Sequence, residues 1–139
     1  MDAVMDFRQL VWAPRAIAED WGETPDPVVW IAIDLLDASW CKTRDHYVGP
    51  GGIGSTEIGK YSAVGAFLAA NIGRTAIFVP SLSLVADEVA FNDGRHTCAW
   101  LRDHGLRVLP VEVGRAYEHI LRRRFETTER VGQLATRSR

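Results

Sequence analysis

Cysteine is scarce in this chain: two residues, Cys41 and Cys98, in 139. Two cysteines make no disulfide framework, so the fold must rest on its apolar core. Nowhere does an apolar run approach the roughly 20 residues needed to cross a bilayer, which excludes a membrane-spanning helix. The first residues lack the charged-then-apolar pattern of a secretory signal, so a cytoplasmic location is expected. Internal repeats and low-complexity blocks are missing as well. A strong charge of either sign is also absent: the formal net charge is -2 and the pI is near 6.1. That excludes a bulk polyanion binder, although the charge is uneven. From Gly114 onward seven arginines face three glutamates, and before it nine basic residues face fifteen acidic ones. The C-terminal segment is therefore either a solvated amphipathic helix or a face for nucleic acid or an acidic partner.

What remains is 47% hydrophobic, enough for one domain with one core. Residues 1–27 are mixed and broken by Pro14, Gly22, Pro25 and Pro27, which suggests an N-terminal arm with a short helix near Ala16–Trp21. Residues 28–125 carry the domain, and 126–139 form a basic, partly ordered tail. Val28–Ile33 reads as a buried strand and Asp34–Trp40 as a helical turn. Asp45–Gly59 is a glycine-rich loop. Lys60–Ile72 has Tyr61, Val64, Leu68 and Ile72 at helical spacing, with Gly73 as the stop. Ala76–Val85 reads as a strand bent at Pro80. Arg115–Arg124 closes the domain as a helix facing inward through Ala116, Ile120 and Arg123, or through Tyr117, Ile120 and Leu121. Short strands among helices predict an α+β fold with a small mixed sheet and flanking helices. Trp30, Trp40, Trp100 and Leu101 are expected in the core, and Cys98 as a buried apolar residue. Some tryptophans are alternatively exposed on a binding surface.

The chemistry concentrates in Phe91-Asn92-Asp93-Gly94-Arg95-His96-Thr97-Cys98-Ala99-Trp100-Leu101-Arg102-Asp103-His104-Gly105. A strand, Glu88–Phe91, turns at Asp93-Gly94 into a helix opening with Arg95-His96, and a strand at Val108–Val113 comes next. The first-turn amides of a helix lack partners and attract anions. Arg95 adds a fixed charge whose fork suits phosphate. His96 is held neutral by the helix dipole, which suits a base or hydrogen-bond partner near neutral pH. The plainer reading is a routine Asp-Gly turn in which Asp93 caps the helix. Upstream, Gly54-Ser55-Thr56-Glu57-Ile58-Gly59-Lys60 has P-loop spacing. Tyr61 stands where a magnesium-ligating hydroxyl belongs, and no clear buried strand precedes Gly54, so a Walker site is not expected. Instead Gly51, Gly52 and Lys60 are expected to approach Arg95 and line one cleft. The histidines show no zinc spacing. His96 and His104 lie about 12 Å apart along a helix. A divalent ion held by Glu57, Glu88 or Asp93 with a substrate phosphate is the metal reading left open.

The Phe91–Val113 string closely resembles the F-x-DGRHR-x-AWLRDHG…PV signature of the plasmid fertility-inhibition family (Osa- and FiwA-like proteins). Tyr47-Val48-Gly49-Pro50-Gly51-Gly52 with Gly59-Lys60-Tyr61 resembles that family's YIGPGG…GRY block, and Asp37-Ala38-Ser39-Trp40 precedes it. The matches run from about Trp30 to Val113. The resemblance implies a ParB/sulfiredoxin-like fold and suppression of conjugative or T-DNA transfer through type IV secretion. It implies a nucleotide such as ATP, or DNA, bound at Gly94, Arg95, His96 and Thr97, and some related domains hydrolyse nucleotides or cut nucleic acid. In an enzymatic version Arg95, His96 and Asp93 are the catalytic candidates. Partners would be the secretion coupling ATPase or the relaxase–DNA complex, without membrane insertion. A non-catalytic blocker acting through the basic C-terminal helix and exposed tryptophans is the alternative, and a ParB-like DNA or CTP binder for plasmid maintenance is a third. Two positions depart from the pattern. Thr97 replaces an arginine, which bears more on turnover than on binding, and Lys60 keeps a charge but loses the fork. Sulfiredoxins carry a reactive cysteine where Arg95 sits, so reductase activity is not expected.

Overall fold

The computed structural model describes residues 5–15, 26–43 and 46–135. The helix expected near Ala16–Trp21 lies outside them, as does Asp45. The main sheet has four strands: β2 (Val28–Ala32), β4 (Ser81–Val85), β5 (Glu88–Asp93) and β6 (Val108–Val113), in the order β2-β6-β4-β5. Every residue of β6 is buried, as expected of a β-branched strand flanked on both edges. It runs antiparallel to β2, with Val28 opposite Glu112 and Ala32 opposite Val108, and parallel to β4. The α+β expectation, with a mixed sheet and flanking helices, is met.

A second sheet was not legible in the sequence. β1 (Val11–Ala13), out of the N-terminal stretch, lies between β3 (Ile77–Phe78) and β7 (Gln133–Leu134), parallel to both. Leu10 and Trp12 are fully buried there. The single strand expected over Ala76–Val85 is in fact β3 and β4, broken at Pro80 and assigned to different sheets. Proline has no N–H for a ladder, so the break falls where the chemistry demands it.

Four helices pack on these sheets: α1 (Ile33–Trp40), α2 (Lys60–Asn71), α3 (Arg95–Asp103) and α4 (Glu118–Phe125). In α2, Leu68 is fully buried and Tyr61 and Val64 are half-buried; Ile72, also half-buried, follows as the C-cap, and Gly73 comes next with φ +85°. α4 turns Leu121 and Phe125 into the core, with Tyr117 and Ile120 beside them, the second of the two expected faces. Trp12, Trp30, Trp40 and Trp100 are all buried. No tryptophan among the described residues is exposed; Trp21 lies outside them. The arginines of α4 are also engaged. Arg122 pairs with Glu118 and Glu126, Arg124 with Asp87, and Arg123 lies against His119. No helix among the described residues is long and apolar enough to cross a membrane.

Candidate functional site

The site begins with a bulge. Along β4 and β5 the register runs Val85 to Glu88 and Leu82 to Phe91, then jumps to Ser81 opposite Asp93. Asn92 is the extra residue, and its amide side chain bridges the hydroxyls of Ser81 and Ser83. A bulge bends its strand and re-aims the residues after it. Gly94 then adopts φ +86°, and a Cβ there would lie 2.8 Å from Pro80. Only glycine satisfies both the left-handed turn and the close approach. α3 starts at the next residue with no side-chain cap. Asp93 does not cap it: one carboxylate oxygen accepts from Gly94 N–H at 2.8 Å, and the other pairs with Arg15 at 2.7 Å.

Above this helix start lies a cleft of about 530 Å³. Arg95, His96, Thr97, Lys60, Glu57 and Arg15 supply its polar wall, with Asp93 and Gly94 at the turn. Val64, Phe67, Ile77 and Phe78 supply an apolar wall, on which the Phe67 and Phe78 rings are about half exposed. The expected Lys60–Arg95 cleft is therefore present. Gly51 and Gly52, expected to line it, are elsewhere. Gly51 N–H donates to Asp103 Oδ2 at 2.9 Å, at the far end of α3, and Gly52 sits against the Tyr61 ring. A glycine loop reaches whichever end of a helix offers an acceptor, and the Asp103 carboxylate wins.

His96 is buried in the cleft floor. Its Nε2 lies 2.7 Å from Ser55 Oγ, and its Nδ1 lies 3.7 Å from Glu57 Oε2. The same Glu57 oxygen lies 3.1 Å from an Arg95 guanidinium nitrogen. Burial, then the neighbouring Arg95 guanidinium, holds the His96 imidazolium below its ordinary range; Glu57 opposes this and Lys60 adds to it. The imidazole is accordingly neutral near pH 7. Sequence reasoning named Glu57 only as a metal carboxylate and passed over Ser55, which sits in the false P-loop. A 3-10 turn at Pro50–Gly52 precedes that segment, where a true P-loop has a strand. Its contribution is two side chains delivered to His96.

The remaining signature residues have a different role. Arg102 donates to Asp37 at 2.9 Å, to the Val48 carbonyl at 2.8 Å and to Asp103 at 2.9 Å. Its guanidinium carbon lies 5.9 Å and 5.7 Å from the Trp40 and Tyr47 ring centroids. Tyr47 donates to Asp37 and Tyr61 to Asp103. Burial, reinforced by these carboxylates, pushes both phenols up to about 12. Burial would raise Asp103, but Arg102, Tyr61 and Gly51 N–H outweigh it and hold the carboxyl below its usual range. This cluster ties α1, the glycine loop and α2 to the end of α3. Cys98 is buried, and burial pushes its thiol up to about 12, so it is inert packing.

Neither cleft carboxylate suits a cation. Asp93 is paired with Arg15 and Glu57 with Arg95. Glu88 lies at the other end of β5, on a separate pocket with His46. His104 stacks on Trp100 with ring centroids 3.8 Å apart. Among the described residues no three His, Cys, Asp or Glu side chains gather as a metal site. Cations surrounding a hollow, with carboxylates standing against them, suit an anionic ligand.

No protein-family model matches the chain, and no curated protein does either. A solved structure does: the crystal structure of Oncogenic Suppression Activity Protein, a plasmid fertility inhibition factor, as a gold(I) cyanide derivative. The two superpose with a TM-score of 0.54. They share a fold. The alignment covers 73% of this chain at 18% identity. This chain spans 57% of the fertility inhibition factor, less than two thirds of its length.

Proposed function

We propose that this protein is a plasmid-type fertility inhibitor that suppresses conjugative or T-DNA transfer through type IV secretion, and that it acts by binding the phosphates of a nucleotide or nucleic acid at the start of α3. The cleft carries this reading. It places Arg95, Lys60, Arg15 and the uncapped first turn of α3 around one hollow. Phosphate is the anion such a set matches best, through the helix amides and the arginine fork. The half-exposed Phe67 and Phe78 rings also line the cleft, Phe78 with the Arg15 guanidinium 5.8 Å from its centroid. They offer a stacking surface for a base, which favours a nucleotide or an unstacked strand over free phosphate. The shared fold with a plasmid fertility inhibition factor supports the cellular role, as does the resemblance of Phe91–Val113 to the family signature.

A non-catalytic blocker acting through the basic C-terminal helix is the second reading; there Arg122 and Arg124 are ion-paired and Arg123 lies against His119. Conjugation frequency from donors expressing wild type or Arg95→Ala/His96→Ala, at matched soluble levels, tests the proposal. Suppression by wild type and not by the double variant is the expected result. Equal suppression by both would move the function off the cleft, and suppression by neither would overturn the role.

A further inference from the structure

The Ser55–His96–Glu57 contacts have the order of a catalytic relay. The decisive point is which nitrogen of His96 carries the proton. Nδ1 faces a Glu57 carboxylate oxygen at 3.7 Å. A lone pair there would oppose a negative oxygen, so we assign the hydrogen to Nδ1. Nε2 then carries the lone pair, and the only way to satisfy its 2.7 Å contact is for the Ser55 hydroxyl to donate. The rest of the Ser55 geometry agrees. Ser55 Oγ accepts Glu57 N–H at 3.2 Å, and its alternative acceptor, the Glu57 carbonyl, is 3.4 Å away. The shortest of the three contacts is the one to the imidazole.

Resting on the phosphate reading above, we propose that Ser55 is a nucleophile toward a phosphoryl group held at Arg95, with His96 as its general base and Glu57 as the residue that positions His96. A nucleophile hydrogen-bonded to a base, with a third group orienting the base, defines this class of site on any fold. Here Ser55 is hydrogen-bonded to His96 at 2.7 Å, while Glu57 at 3.7 Å acts on the imidazole electrostatically, without a hydrogen bond. In the step, Ser55 Oγ forms a bond to phosphorus while the bond from phosphorus to the leaving oxygen breaks. The hydroxyl proton passes to His96 Nε2 and then to the leaving oxygen. Water, deprotonated by the same nitrogen, releases the phosphate and restores Ser55. Arg95 stabilises charge on the non-bridging oxygens. Since Arg95 and His96 share one Glu57 oxygen, a phosphate that takes Arg95 leaves Glu57 to the imidazole alone.

An alkyl fluorophosphonate reports this directly, because serine attack displaces fluoride and leaves a stable adduct. The full chain is incubated with the probe, the adduct is mapped by mass spectrometry, and inorganic phosphate binding is measured in parallel by calorimetry. Expected is one adduct, on Ser55, slowed by roughly 100-fold or more in His96→Ala. Glu57→Gln should shift the acid limb of the labelling rate to lower pH, since Glu57 supports the imidazolium; a merely structural Glu57 would leave that limb in place. The wild-type pH profile is informative even where a variant folds poorly: the rate must fall as pH drops and His96 takes a proton. A chain that binds phosphate but leaves Ser55 unlabelled, or labels it independently of pH and His96, overturns the relay and leaves the phosphate reading intact. A chain that neither binds phosphate nor labels overturns both.

Discussion

Arg102 and His96 sit six residues apart on one helix and have opposite electrostatic settings. Arg102 is nearly buried and balanced by Asp37 and Asp103, with side-chain exposures of 12%, 29% and 14%. Removing one member of such a set leaves the others uncompensated. Arg102→Ala should therefore cost about 3 kcal/mol of stability, read as a lower denaturation midpoint in urea. A loss under about 0.5 kcal/mol, the scale of a surface substitution, would show that the cluster holds nothing together. His96 is buried beside a cation instead, so its folded-state pKa lies below the ordinary value of about 6.5. A depressed folded value means that the neutral form belongs to the native state. The corresponding stability is complete above the unfolded pKa and is lost as pH falls through the folded one. Titration of the His96 ring by NMR should give a midpoint below the ordinary range. Inorganic phosphate should raise it and Glu57→Gln should lower it further. A midpoint at or above the ordinary value would contradict the site's electrostatics.

Among the elements, the α2–α3 contact and the α3 start decide the cleft's shape. A Cβ on Gly65 would lie 2.2 Å from Trp100 Nε1. Alanine improves helix propensity by about 1 kcal/mol, yet Gly65→Ala must push α2 from α3. We expect a net loss of about 1–3 kcal/mol, with weakened phosphate binding because Lys60 moves with α2. A stabilised variant would show that the helices are loosely apposed. The helix start was the part of the site most legible in sequence: a strand, an Asp-Gly turn and Arg-His are all local. Its departure from the family pattern is testable. Thr97 lines the cleft, so Thr97→Arg should tighten phosphate binding by roughly tenfold, the worth of one charge-assisted hydrogen bond. An unchanged affinity would place position 97 outside the anion's reach.

For the whole molecule, the α+β architecture followed from short strands interspersed with helices, and Lys60–Asn71 falls within a residue of the span its helical spacing gave. Long-range pairing did not. β1 and β7 are three and two residues long and join from opposite ends of the described chain, and elements that short have no period to read. The division at Pro80 shows the same limit: proline marks a break, not which sheet each half enters. In the site, Arg95, His96, Thr97 and Lys60 converge as spacing suggested. Gly51 and Gly52 do not, because their destination depended on the carboxylate of Asp103. Ser55 and Glu57 reach His96 across 41 and 39 positions, a juxtaposition visible only once α2 and α3 are packed. The proposed function turns on phosphate binding in the hollow at the start of α3. Calorimetric titration of ATP into wild type and Arg95→Ala is its most direct test. Binding by wild type, weakened about tenfold or more in the variant, is the predicted result. Wild-type protein that takes up no heat from ATP, or a variant that binds it equally well, would contradict the account.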